Sequence, residues 1–444
     1  MRAISGFFVR VFEFAIPDPY VFAVLLTLLT ALLALVLAPH HAPIAVASAW
    51  YKGIFDIFEF ALQMILILVT GYALARSAPV QRGLLTLAAR PTTARGAVTM
   101  TFLVSAIACW LNWGFGLVIA GLLSRAIAQR MRIDFGWLVA AAYAGFLIWA
   151  SGLSSSIALA QATPGSKLNI VQSLTGTVLP LSQTIFTPFN LVPVIVLLIV
   201  IPFLFVAFEP RGDDVVAAHL PVDDIDEVHA VEPRRTLGTV LNNAWILNVA
   251  IVVAGAYYLI YTWISAGFSL PIQTVIFIFF LLGLLLHWTP VAYVRAINEA
   301  ARVTGPLLIQ YPLYGGIMGI MTGTGLAGVI AQGFVAFSTA ATLPFWSYLS
   351  SIIISLFVPS GGGHWAVQGP FVVPAAAKLG ASQAACAMGV AIGEEVANMI
   401  QPFWCLPVLA IAGIGLRRVM AFTAMVFFVA LVVFGASLLP LIPH

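Results

Sequence analysis

The sequence predicts an all-α polytopic membrane protein with two inverted repeats, about nine spanning helices, two re-entrant hairpins and two broken helices. Three observations carry this. The 444 residues are 62% hydrophobic and 8% charged, against about 25% charged in soluble domains. The apolar segments run to about 20 residues, the length that crosses about 30 Å of hydrocarbon as a helix. They lack the ten-residue alternation of barrel strands. Finally, short runs of glycine, proline and polar residues interrupt four of these segments.

Spans are expected near 20–38, 53–75, 135–160, 178–207, 241–262, 271–288, 304–335, 382–415 and 419–439. Two further apolar stretches, near 97–124 and 343–379, are broken at their centres. Arginine placement orders the layout, because positive residues collect on the cytoplasmic side. With the N-terminus in the cytoplasm, two spans bring the chain back to Arg76, Arg82, Arg90 and Arg95. Arg125, Arg130 and Arg132 follow the 97–124 stretch. Only a stretch that dips in and turns back leaves both clusters on one side. The 343–379 stretch, flanked by Lys378 alone, fits a hairpin opening to the outside. All 16 arginines then lie inside, the three lysines (Lys52, Lys167, Lys378) lie outside, and the C-terminus ends outside.

Residues 209–238 hold eight of the 16 acidic residues. They form an acidic cytoplasmic linker between a first membrane half (1–208) and a second (239–444). Residues 80–90 and 290–303 fit short amphipathic helices at the interface. The opening "MRAISGFFVRVFEF" has no short apolar core followed by a cleavage site, so no signal peptide is expected. Cys109, Cys386 and Cys405 lie in apolar runs without metal-ligand spacing.

The order of span, hairpin and broken span occurs twice. At a shift of 248 residues Gly71 falls on Gly319, Gly114 on Gly362, Gly121 on Gly369, and Asn112 of "WLNWGFG" on Ser360 of "PSGGGHW". One hairpin mouth opens inside and the other outside, so the halves are inverted. Inverted repeats with discontinuous helices place substrate and coupling-ion sites near the midplane. The pattern points to a secondary transporter. Hairpin arms of about 12–15 residues reach the bilayer centre at 1.5 Å per residue. Irregular backbone at that depth is tolerated where it is buried in protein or lines a cavity.

At the second tip, Ser360 is placed to cap the following arm. Gly361, Gly362 and Gly363 leave its first N–H groups open to an anion. Asn112 and Gly114 hold the matching places at the first tip. Close helix packing is the competing explanation for the glycines. The breaks at 152–156 and 398–402 supply oxygens: the hydroxyls of Ser154, Ser155 and Ser156, the side-chain carbonyls of Asn398 and Gln401, and a backbone carbonyl freed by Pro402. These suit Na⁺ or a carboxylate, although serines also bond the preceding helical turn.

Glu394 and Glu395 are the only acidic residues between 304 and 416, and intramembrane carboxylates are functional candidates by default. Neighbouring positions on a helix point about 100° apart, so the two do not form a dyad. Glu394, Asn398 and Gln401 share a face, where a proton or cation could be held; a water-filled vestibule is the alternative setting. Asn112, Ser156, Glu394, Glu395 and Asn398 are the coupling-ion candidates. His364 is open between bonding a substrate and packing beside Trp365. No Walker A sequence, paired metal-binding histidines or nucleophile–base arrangement occurs, so neither ATP drive nor enzyme activity is expected. No cofactor beyond Na⁺ or H⁺ and no nucleic-acid partner is expected.

"VPSGGGHWAVQGP", "GVAIGEEVANMIQPFWCLP", "WLNWGFGLVIAG" and "SGLSSSIALA" together resemble the bacterial short-chain fatty acid transporter family, the acetoacetate/butyrate uptake type, within the broader ion-transporter superfamily. The resemblance covers nearly the whole chain. It implies a scaffold domain, a mobile transport domain bearing the hairpins and broken helices, a homodimer, and elevator-type alternating access in a bacterial inner membrane. Tips 112–116 and 360–364 and breaks 152–156 and 398–402 would line the site. The expected activity is symport of short-chain monocarboxylates with Na⁺ or H⁺. An anion channel, or a carrier for other carboxylates such as dicarboxylates, is the alternative.

Overall fold

The computed structural model describes residues 18–166, 168–217, 236–267, 272–302 and 304–439, and every regular element among them is helical. The chain is a multi-pass membrane protein. Arg2, Arg10, Lys167, Arg234, Arg235, most of the acidic linker (218–235) and the last residues (440–444) lie outside the described residues.

The first half opens with α1 (Pro19–Leu37), started by the Asp18 carboxylate, which accepts from the Tyr20 N–H at 2.8 Å. Next come α2 (Pro43–Asp56) and α3 (Phe58–Ala75), a 33-residue apolar run with a break at Ile57. The expected span at 53–75 thus begins ten residues earlier, because Trp50, Tyr51 and Lys52 dilute its apolar signal. Helix α4 (Ala78–Ala88) is the expected short amphipathic helix. Helices α5 (Ala94–Leu111) and α6 (Trp113–Ala128) are the arms of the first interrupted stretch. Helix α7 (Phe135–Ala144) tightens into a 3₁₀ turn (Gly145–Ile148), breaks, and resumes as α8 (Ser156–Ala162). Short α9 (Ile170–Thr175) and long α10 (Pro188–Ala207) complete this half.

The second half runs through α11 (Leu237–Asn242), α12 (Trp245–Ala266), α13 (Ile272–His287) and α14 (Pro290–Ala301), the second amphipathic helix. Helices α15 (Gly305–Gly323) and α16 (Leu326–Val335) are bent by 62°. The bend falls at Gly325, whose φ of 80° favours glycine. Helices α17 (Leu343–Ser355) and α18 (Gly361–Leu379) flank the second tip. Helix α19 (Gln383–Ala397), a break, α20 (Cys405–Ala412) and α21 (Leu416–Ser437) follow.

Six described helical runs are long and apolar enough to cross a membrane, and the bent pair makes up to seven. The nine expected spans overlap these in part. Segments 135–160 and 382–415 are split by their breaks, and α13 is 16 residues long.

Both interrupted stretches fold back on themselves. A Cβ at Gly116 would lie 2.6 Å from the backbone N of Cys109 and 2.7 Å from its Cα. In a continuous helix seven residues would separate these groups by about 10 Å. In the second stretch, the Gln368 side-chain amide donates to the Ser347 carbonyl at 3.0 Å and the Ser350 hydroxyl at 2.7 Å. The first arm has 18 residues rather than about 12–15. Its extra turn is polar: Thr93 caps it, and Arg95 pairs with Glu209 at 2.9 Å. Burial pushes the Glu209 carboxyl up, but hydrogen bonds from Arg95 and Arg211 outweigh this and hold it below its ordinary range.

Helix starts recur at the spacing noted in the sequence. Ala78 and Leu326, Trp113 and Gly361, and Phe135 and Gln383 each lie 248 residues apart. Packing forms two groups. Helix α15 packs on α1 and α2, and α3 on α13 and α14. Helices α5, α6, α7, α10, α20 and α21 form a second body, joined by α17, α18 and α19 through contacts with α8, the 3₁₀ turn and α21.

Asp134 ties one edge of that body together. Its carboxylate caps α7 through the Trp137 N–H (2.8 Å), accepts from the Val216 N–H (2.9 Å) and pairs with Arg418, which also donates to the Asp214 carbonyl at 2.6 Å. The start of the linker is therefore docked onto the helices. Asp134→Ala removes a cap and a buried partner of Arg418, and is expected to cost about 2–3 kcal/mol. Denaturation in detergent checks this; an unchanged midpoint would show that Val216 and Arg418 find other partners.

Candidate functional site

The two breaks cross. Helix α7 ends its regular turns at Gly145 and α19 at Ala397, and the freed segments exchange polar groups that their helices no longer use. The Glu395 carboxylate accepts from the Ala150 N–H (2.9 Å), the Ser151 N–H (3.0 Å) and the Ser151 hydroxyl (2.5 Å). Asn398 completes the junction: its side-chain oxygen accepts from the Trp149 indole at 3.0 Å, and its carbonyl accepts from the Tyr143 hydroxyl at 2.8 Å. All six residues are buried. Such a junction satisfies buried backbone donors that water does not reach. Aromatic rings pack around it: Trp404 lies 5.0 Å from Trp113 and 5.5 Å from Phe146 between ring centroids.

The two tips abut this junction differently. At the first, Asn112 caps α6 through the Phe115 N–H (3.0 Å), and the Ser154 hydroxyl takes the Trp113 N–H. Ser155 caps α8 through the Ala158 N–H at 3.2 Å. Gly114 is buried against the Ile67 side chain, so the lost Cβ makes room for helix packing there. These first-half polar groups are largely consumed by local structure.

The second tip is not closed in this way. Ser360 occupies the cap position, but its side chain makes no cap hydrogen bond, which corrects the role expected for it. Its own N–H bonds to the Val358 carbonyl (2.9 Å), and its carbonyl accepts from the His364 N–H (2.6 Å). The N–H groups of Gly361, Gly362 and Gly363 have no acceptor among the described residues. A Cβ at Gly361 would collide with Ser156 Oγ and lie 3.0 Å from the Trp149 ring and 3.3 Å from Glu394 Oε2. The tip, the start of α8 and Glu394 therefore converge on one spot.

Glu394 is fully buried and neither of its oxygens has a hydrogen-bond partner; the Gln401 amide and the Asn398 Nδ2 are likewise unpartnered. His364 is buried, with Nε2 at 2.6 Å from the Gln368 side-chain oxygen and Nδ1 unpartnered. Its main visible role is to join α18 to α17 through Gln368. A pocket of about 220 Å³ adjoins the tip, lined by Ser360 and Gly363, by Phe403 of the second break, and by Asp56, Gly315 and Thr322. Among the described residues no arginine or lysine lines it.

Sequence reasoning missed Trp149, Ser151 and Asp56. Ser151 lies one residue before the expected break at 152–156, and its partner is 244 positions away. Only the crossing of the breaks reveals it.

The profile of the family described as short chain fatty acid transporter matches residues 1–441. A protein of Escherichia coli strain K12, provisionally named a short-chain fatty acid transporter, is 42% identical over 98% of this chain and 99% of its own length. One of Haemophilus influenzae, with the same provisional name, is 38% identical over 95% of this chain and 96% of its own. The crystal structure of the Alcanivorax borkumensis YdaH transporter is similar at a TM-score of 0.44 and 16% identity, covering 95% of this chain and 98% of that one. On the family match and the two relatives, the chain belongs to the short-chain fatty acid transporter family.

Proposed function

We propose that the protein imports short-chain monocarboxylates of the acetoacetate or butyrate type, by symport with Na⁺ or H⁺, across a bacterial inner membrane. The observation that carries this is the open start of α18: three unsatisfied N–H groups at the positive end of a 19-residue helix, beside a pocket of about 220 Å³. That volume lies below the roughly 300–1,000 Å³ of sites for drug-sized ligands and suits a substrate of a few carbons. Phe403, Met318 and Val358 supply an apolar wall for the alkyl chain. The described lining holds Asp56 and no arginine or lysine, which favours one carboxylate over two, because a second would meet Asp56 instead of a cation.

In this reading the second packed body, with its fold-back tips and crossed breaks, is the moving part. Helices α1–α3 and α12–α15 form the scaffold, and the protein works as a homodimer by elevator-type alternating access. The N-terminus is cytoplasmic and the C-terminus outside. The fold-back stretches are re-entrant hairpins, and the recurrence at 248 residues reflects inverted repeats. Labelled butyrate and acetoacetate uptake into proteoliposomes tests the activity, with protein-free vesicles subtracted because neutral short acids cross lipid unaided. Saturable, gradient-driven uptake and counterflow are expected. No protein-dependent uptake of any C2–C6 carboxylate would refute the assignment, and currents without saturable counterflow would indicate a channel.

A further inference from the structure

Three carboxylates are buried among the described residues: Asp134, Glu394 and Glu395. Asp134 holds a cap and an arginine, and Glu395 holds three donors of the first break. Glu394 holds nothing, although it is fully buried. It points at the one helix start in the junction whose donors are also unused, with Oε2 at 3.3 Å from where a Gly361 Cβ would be. A buried acceptor lies beside the first of three buried or half-buried donors without a bond between them. Each unmade bond of this kind is costly, so the arrangement fits a place where an occupant comes and goes.

We propose that Glu394 carries the coupling proton, and that its carboxylate and the substrate's carboxylate compete for one seat, the free N–H groups of Gly361–Gly363. This rests on the reading of that helix start as the substrate site. An ionised Glu394 takes the seat by a small side-chain rotation and is held there by the helix dipole. A second carboxylate within about 4 Å is then repelled. A proton taken from water on the loading side neutralises Glu394 and leaves the donors to the substrate anion. Anion and proton travel together as a neutral pair. On the other side the anion leaves, the proton returns to water, and Glu394 reclaims the seat. Na⁺ does not suit this spot, because it needs several oxygen ligands and the seat is made of N–H groups.

The other ionisable groups around the seat are few. Helix α17 contributes Tyr348, whose hydroxyl donates to the Leu431 carbonyl. Helix α18 contributes His364, bonded to Gln368, and Lys378 in its last turn. Helix α19 itself adds the clamped Glu395. Helix α8 and the 3₁₀ turn contribute none. Helix α21 has Arg417 and Arg418 at its start, Arg418 being paired with Asp134. Asp56 faces the tip from across the pocket. His364 and Asp56 are the rival proton carriers.

Butyrate binding to the full-length protein in nanodiscs, measured by calorimetry in buffers of different ionisation enthalpy, decides between them. Wild type should take up about one proton per butyrate, with apparent affinity falling up to about tenfold per pH unit on the alkaline side. Glu394→Gln should bind butyrate with almost no proton uptake and a flat pH profile. Glu394→Asp, His364→Gln and Asp56→Asn should each keep the uptake, and these three variants carry the test if Glu394→Gln does not fold. Wild-type proton uptake in Glu394→Gln, or its loss in His364→Gln or Asp56→Asn, overturns the proposal. Butyrate binding by wild type without proton uptake at any pH overturns it while leaving the transport assignment standing. No butyrate binding by wild type removes the substrate site itself.

Discussion

Glu395→Ala is expected to lower the unfolding free energy by about 3–5 kcal/mol. The carboxylate is the acceptor for two backbone N–H groups and one hydroxyl of the first break, all fully or almost fully buried. Each buried donor left without an acceptor costs about 1–3 kcal/mol, and partial relaxation keeps the total below the sum. Truncation to alanine also leaves a void that the packed junction cannot fill completely. Glu395→Gln should cost less, because one oxygen remains, but its amide must face a donor of the break. Glu394→Gln provides the contrast: no bond is lost at that position, so its stability should stay within about 1 kcal/mol of wild type. Reversible unfolding in mixed micelles ranks the three. Equal losses at both glutamates would mean that Glu395 is not the clamp between the breaks.

The contrast between these adjacent residues also marks what the sequence could convey. The two tips were legible, because Asn112 and the run Ser360–Gly363 stand out in apolar surroundings. So were the breaks and the amphipathic helices. Arm length was not, since Arg95 at the start of α5 belongs to the helix yet reads as a boundary. The division of labour between Glu394 and Glu395 was also hidden. Their side chains differ by about 100° around one helix axis, and which direction meets the first break depends on a crossing between segments some 245 residues apart. The three serines show the same limit. Ser154 and Ser155 are capping residues, while Ser156 alone adjoins Gly361. A run of hydroxyls carries no sign of which ones local backbone donors will claim.

Gly361→Ala is expected to reduce butyrate uptake at least about 10-fold while leaving the fold intact. The added methyl would occupy the space between the first N–H groups of α18, Ser156 Oγ and Glu394 Oε2. Losing one or two charge-assisted hydrogen bonds of about 1.5–3 kcal/mol each gives that factor. Two opposing effects set the stability. Overpacking against Ser156 and Trp149 costs about 1–3 kcal/mol, whereas alanine is preferred over glycine in a helix by roughly 1 kcal/mol. Gly361 is not among the residues with positive φ, so the backbone accepts the side chain. The Ser156 hydroxyl can also rotate away, which places the net loss near the low end. A second substitution separates blockage from damage. Ser156→Ala removes the colliding oxygen, so Gly361→Ala combined with Ser156→Ala should regain stability but not uptake. If the pair recovers both, the methyl harms only packing and the start of α18 is not where the carboxylate sits. If stability returns and uptake stays low, the need for a bare glycine at this position follows from what must approach its N–H group.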